Sequence, residues 1–259
     1  MNKNSLKLGS IRYLYLAAVA AAIGLALAVS TAHADLLFSD SFDYPAGSLA
    51  GDGPPPGSPP GQGVWLDLNF DPQVTSPGLR FRSIRSAGNA AGLADTNDSN
   101  GDAAGADLTP VGGGGSGTAW IGFLIRQSAI ADSGYAVVTF NEGFGPTAPG
   151  LGVLFGQGVY GIDNDTGLPH SQAATTIAAS STTVWLVVEL DFTAGTETLY
   201  VNPSRGSEPG TAEAIAHLRM APEFQASGFS RIDLKEGFNL GTYIFDELRV
   251  GTTFDDIRG

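Results

Sequence analysis

The sequence predicts an all-β protein built as a two-sheet antiparallel β-sandwich. Three observations predict it. Short runs that alternate apolar and polar residues recur from residue 36 onward, the two-residue period of a strand with one buried face. Glycine reaches 36 of 259 residues, about twice its usual share of roughly 7%, and much of it stands between those runs. Apolar residues nevertheless make up 42% of the chain, which excludes a disordered polymer. Only "TAEAIAHLRMAPEF" (211–224) has helical character, and that helix is expected to stop before Pro222.

The elements follow in order. Lys3, Lys7 and Arg12 precede an apolar stretch from Leu14 to Val29 and an A-x-A signal, Ala32-His33-Ala34. This reads as a secretory signal peptide over 1–34, cleaved before Asp35; the alternative is an uncleaved anchor, for which the apolar stretch is short. Residues 35–259 then form one domain. "LLFSDSFDY" is its first strand, with Leu36, Phe38, Asp40, Phe42 and Tyr44 on one face. "GPPPGSPPGQG" interrupts it, because proline cannot donate to a ladder. "VWLDLNF" and "LRFRSI" are short strands. Residues 86–117, rich in Gly, Ala, Asn and Asp, show no apolar period and are expected to be a long loop; "GGGGSG" (112–117) lacks the Lys and helix of a phosphate loop and is a linker within it. "TAWIGFLIR", "YAVVTF", "GLGVLFG", "VYGID", "TTVWLVVELDF", "TETLYVNP", "RIDLKEGF" and "YIFDELRVG" complete the set. The short "TAG" link (193–195) makes 184–192 and 196–202 a hairpin.

Charge and composition exclude several functions. The formal net charge is −13, and without residues 1–34 ten bases face 26 acids, a charge of −16. Such a surface repels phosphate backbones and anionic lipid, so neither nucleic acid nor, once the signal is removed, membrane is expected as a partner. Without cysteine there is neither a disulfide nor a thiol nucleophile. His170 and His217 are the only histidines beyond the signal segment and lack zinc-site spacing. No G-x-S-x-G elbow occurs.

Two acids stand where hydrophobes belong. In "YIFDELRV" the dry file is expected to be Ile244, Asp246, Leu248 and Val250; in the first strand Asp40 sits between Phe38 and Phe42. A carboxylate facing a core needs a cation, a proton or hydrogen-bond donors. "DTNDSNGD" (95–102) approximates a calcium loop but has Thr96 at position 1 and Asp107 at position 12, so it reads as a solvated turn. "ELDF" places Glu189 and Asp191 on one strand face, with Thr193 and Ala194 in the places of a third acid.

"VWLVVELDFTAGTETLYVNP" resembles the hairpin of laminin-G-like and concanavalin A-like jelly rolls, and "FDELRVGTTFDDI" resembles the final strand of that superfamily. The opening "FSDSFDYPAGSLAG" is similar to the first strand of secreted members from environmental bacteria. The resemblance implies a jelly roll whose first and last strands are neighbours. It implies a structural Ca²⁺ on Asp246, as in laminarinase-type relatives, with oxygens near Asp40 completing the site; the alternative is that each Asp caps backbone N–H groups at a bulge. It also implies that "ELDF" is either an ordinary hairpin or the remnant of a glycosidase motif that has lost its proton donor. The expected function is a secreted, extracellular or cell-surface module without catalysis, binding carbohydrate or matrix. A structural surface protein and a laminarinase-like hydrolase are the alternatives. Trp65, Trp120 and Trp185 are expected in the core, and Tyr160 and Tyr243 on an open face.

Overall fold

A computed structural model describes residues 35–69, 72–85, 88–94, 101–129, 134–141, 149–164, 171–211, 215–237 and 242–259. The expected signal segment (1–34), most of the 95–102 stretch and His170 lie outside them. Among the described residues the strands form two large antiparallel sheets and one small hairpin. The larger sheet runs β16 (Ala216–Arg219), β15 (Thr196–Val201), β14 (Val184–Asp191), β9 (Thr118–Ala129), β18 (Thr242–Gly251), β7 (Ala90–Ala94), β4 (Gln73–Thr75) and β2 (Gly47–Ser48), with β1 (Leu36–Asp40) also paired to β18. The smaller sheet runs β13 (Ser171–Ala178), β12 (Val159–Asn164), β11 (Pro149–Val153), β10 (Tyr135–Phe140), β17 (Phe229–Gly237), β8 (Ala103–Val111) and β3 (Leu66–Asn69). The protein is an all-β sandwich.

The first and last strands are neighbours: Phe38 pairs with Val250, Ser39 with Arg249 and Asp40 with Leu248. The β14–β15 hairpin closes as expected. Asp191 Oδ1 accepts from Ala194 N at 2.8 Å, and Gly195 takes a φ of 68° that a side chain would resist.

Alternation sorts side chains between two apolar bodies. Ala119, Ile121, Phe123 and Ile125 of β9 face the smaller sheet, as do Leu186, Val188 and Leu190 of β14. Trp120, Leu124, Trp185 and Val187 face away and form a second cluster on the larger sheet's outer side. Helix α2 (Phe254–Ile257) covers that cluster, its Phe254 ring 5.5 Å from Trp120 and 5.9 Å from Trp185. Gly122 makes room for it, since a Cβ there would stand 3.1 Å from Ile257 Cδ1 and 3.2 Å from Trp185 Nε1.

Several expectations need correction. The 86–117 stretch is not one loop, because it contains β7 and β8. Its strands escape the alternation test because small residues stand where the neighbours are large. Gly105 of β8 lies against the Arg231–Asp233 pair, where a Cβ would come within 2.1 Å of Asp233 Oδ1, while Ala104 and Ala106 face the core. The "GGGGSG" stretch is the turn between β8 and β9, with Gly112, Gly114, Gly115 and Gly117 all at positive φ. "LRFRSI" is a hairpin, β5 (Arg80–Phe81) and β6 (Ile84–Arg85), rather than one strand. The expected helix before Pro222 is instead strand β16. Pro222 starts helix α1 (Pro222–Ser227), at the position where its missing N–H costs nothing. Phe224 of α1 seals one end of the core among Phe140, Phe192 and Phe229. Among the described residues no helix is long and apolar enough to cross a membrane.

Candidate functional site

Asp246 is fully buried, and the alternation around it is broken. The β18–β9 register shifts between Asp246 and Arg249, and Glu247 takes a φ of +50°. This is a β-bulge, whose extra residue switches the strand's two faces. Tyr243 and Phe245 therefore face the inter-sheet core with Leu248 and Val250, whereas Ile244 belongs to the outer cluster. The file of Ile244, Asp246, Leu248 and Val250 expected from the sequence is thus two files. Asp246 Oδ2 accepts from Leu79 N at 2.6 Å and Oδ1 from Glu247 N at 2.8 Å. It pins the bulge to the 79–84 segment.

Asp40 meets the other side of the sheet. Its Oδ1 accepts from Phe42 N at 2.7 Å, and its Oδ2 from Tyr44 Oη at 2.7 Å and Trp65 Nε1 at 2.8 Å. Phe38 and Phe42 pack against Trp65 with ring centroids 5.9 and 5.6 Å away. Burial pushes the Asp40 carboxyl above its ordinary range, and the three donors pull part of that shift back. Asp40 thus belongs to the inter-sheet core and Asp246 to the outer cluster, and each carboxylate is met by N–H and O–H donors. A calcium ion needs converging oxygens. Among the described residues no group of three or more His, Asp or Glu that could hold a metal ion occurs.

The "ELDF" acids lie on β14 and at its turn, and each has a hydrogen-bond partner. Glu189 stands opposite Trp120 and Thr198 on the outer face, half-buried, and Tyr200 Oη donates to it at 3.3 Å. Burial raises its pKa first, and the Tyr200 bond lowers it. Asp191 caps the hairpin turn. His217 lies exposed on β16, its Nδ1 3.1 Å from Thr198 Oγ1. Trp65, Trp120 and Trp185 are all buried, as expected. Tyr160 and Tyr243, expected on an open face, are buried inside the sandwich; burial pushes both phenols up to about 12.

Sequence reasoning misses a groove at the β3 side of the smaller sheet. Its volume is about 350 Å³, and Asn69, Asp102, Ala103, Tyr135, Lys235 and Glu236 line it together with Leu68. The register explains the depression. Asn69 of β3 and Lys235 of β17 both pair with Ala103 of β8, so the central strand offers only a methyl group between two longer side chains. Tyr135 forms one wall. It pairs with Gly237, and a Cβ there would stand 2.8 Å from its hydroxyl, so glycine lets the phenol lie against the strand. The Phe155 ring, 38% exposed, lies 6.4 Å from that of Tyr135 and is tilted to it by 51°. Asn69 Nδ2 donates to Gly101 O at 2.7 Å, and Glu236 N to Asp102 O at 3.0 Å, which fixes the rim. The groove therefore offers an amide, carboxylates, an ammonium group and an aromatic edge. That combination suits a polyhydroxylated ligand, whose hydroxyls both donate and accept and whose ring faces are apolar.

No known protein family's sequence pattern matches the chain, and no curated protein matches it. Solved structures do. A glycosyl hydrolase family protein from Mycobacterium fortuitum is similar with a TM-score of 0.47 at 14% identity, over 83% of this chain and 99% of that one. The T. cruzi calreticulin globular domain gives 0.46 at 9% identity, over 75% and 86%. The botulinum neurotoxin serotype D binding domain gives 0.45 at 11% identity over 73% of this chain, which spans about half of that one (46%). These are likenesses of β-sandwich architecture and carry nothing about ligand or activity.

Proposed function

We propose that residues 35–259 form an exported, non-catalytic module of the concanavalin A-like or laminin-G-like kind that binds carbohydrate or matrix glycan in the groove beside Ala103. The observation that carries the proposal is a polar trough walled by the Tyr135 ring, with the half-exposed Phe155 ring beside it. Asn69, Asp102 and Lys235 make the lining of the trough polar. Tyr135 and Phe155 supply a surface for the apolar face of a sugar ring. The non-catalytic reading rests on the acids of "ELDF", which are engaged with Tyr200 and with a turn amide.

A glycan array on residues 35–259 tests the proposal, with Phe155→Ala and Tyr135→Ala as companions. Saturable binding to at least one oligosaccharide is expected, weakened about tenfold or more by either substitution, as loss of an aromatic contact implies. Binding unaffected by both substitutions, or no glycan bound, contradicts the proposal. Release of reducing sugar from a bound β-glucan would make the groove a hydrolase site instead.

A further inference from the structure

We propose that Arg205, Arg249 and Arg258 form an oxyanion site, for a sulfate or carboxylate group, on the outer side of the larger sheet. It is separate from the groove and does not depend on it. The three guanidinium groups line a cavity of about 150 Å³ together with Ser83, Trp185 and Glu247. That is the scale of a charged head group with a few waters rather than of a whole sugar chain.

Charge distribution is the first support. Residues 35–259 carry ten cationic side chains. Three of them, Arg205, Arg249 and Arg258, line this cavity. A strongly acidic chain thus gathers three of its ten cations around one small cavity. Like charges held together repel; Glu247 answers Arg249 and Asp255 answers Arg258, and a bound anion would relieve what remains. Arg205 feels it directly: burial, then Arg249 and Arg258, push its pKa down.

Hydrogen bonding is the second support. Arg205 Nη1 donates to Ser83 Oγ, and Nη2 to Gly259 O at 2.6 Å, while its buried Nε meets no acceptor among the described residues. Arg258 is braced by Arg205 O at 3.0 Å and by Asp255 at 3.1 Å, and Arg249 by Glu247 at 3.3 Å. The forks are therefore positioned. Planar guanidinium forks match the paired oxygens of carboxylate and sulfate. The bulge adds the third support. Glu247, held at positive φ by the bulge, lines the cavity and accepts from Arg249 Nη2 at 3.3 Å, so its part is to fix the Arg249 fork and not to meet the anion. Backbone strain of this kind collects at functional sites.

Calorimetric titration with dextran sulfate, with neutral dextran as reference, tests the site on residues 35–259. Dextran sulfate is expected to bind and dextran not. Arg249→Gln and Arg258→Gln are each expected to weaken binding about tenfold, the scale of one charge-assisted contact. Arg219→Gln, on the exposed edge strand β16, is expected to leave binding within about twofold, since it removes the same charge far from the cavity. Melting curves of each variant check folding. Thermal protection by inorganic sulfate with the same variant dependence shows that the free anion suffices; protection by the polymer alone shows that the group must be polymer-borne. Protection by neither, or equal losses in Arg219→Gln and the cavity variants, overturns the proposal.

Discussion

Glu197 shows how one buried group shapes the behaviour of this protein. It points from β15 into the sandwich, fully buried, with Asn164 of β12 as its polar neighbour. Neither carboxylate oxygen meets a well-formed hydrogen bond among the described residues, and Asn164 Oδ1 lacks a donor as well. Burial pushes the Glu197 pKa up to about 8, and Asn164 pulls part of that shift back. The folded state then holds a proton that the unfolded chain releases from about pH 4.5 upward. Stability is full below that value and is lost as pH rises through about 8. Melting temperatures between pH 5 and 9 are expected to fall with pH, and Glu197→Gln, which keeps the neutral shape, is expected to flatten the curve and raise stability at pH 9. A flat wild-type curve contradicts this. Asp246 makes the opposite case, a carboxylate held by amides. Asp246→Ala strands Leu79 N and Glu247 N in a buried place. It is expected to destabilise by about 2–5 kcal/mol in urea unfolding, since each buried unsatisfied donor costs about 1–3 kcal/mol. A loss below about 1 kcal/mol would mean that water reaches the bulge.

Among the elements, legibility follows side-chain size. Strands with large inward residues, such as "TAWIGFLIR" and "VWLVVELDF", are plain in the sequence because Ile, Phe, Val and Leu at every second position mark a strand with a buried face. β7, β8 and β13 are not, because Ala, Gly and Thr carry little alternation contrast, and their small size becomes meaningful only beside Thr75, Arg231 or Asp233. The β18 bulge is equally hidden, since one inserted residue leaves the pattern of hydrophobes nearly intact while reversing its faces. Helix α1 illustrates the local limit: proline reads as a stop, yet it also serves as a start. Its Phe224 closes an aromatic end-plug, and Phe224→Ala is expected to cost about 3–5 kcal/mol, read from denaturant midpoints. A loss near zero would mean that α1 merely rests on the sandwich. The groove is illegible for a related reason. It is made by Ala103, Gly237 and register, and none of these announces a site in a sequence.

In the whole molecule, the two outer faces differ in kind. The larger sheet is covered by α2 and the 79–84 segment, which fills the face that carries Glu189 with Trp120, Trp185 and Phe254. The smaller sheet carries the polar groove. Because Asp40 and Asp246 are satisfied by N–H and O–H donors, millimolar Ca²⁺ added after EDTA is expected to leave the melting temperature unchanged; a rise would reveal a metal bound to the folded state. Whether the groove is where glycan binds is decided by amide chemical-shift mapping of residues 35–259 during titration with an oligosaccharide selected on the array. Saturable shifts centred on Asn69, Asp102, Ala103, Tyr135 and Lys235 are expected. Shifts confined to the larger sheet, or none that saturate, would contradict a glycan site beside Ala103.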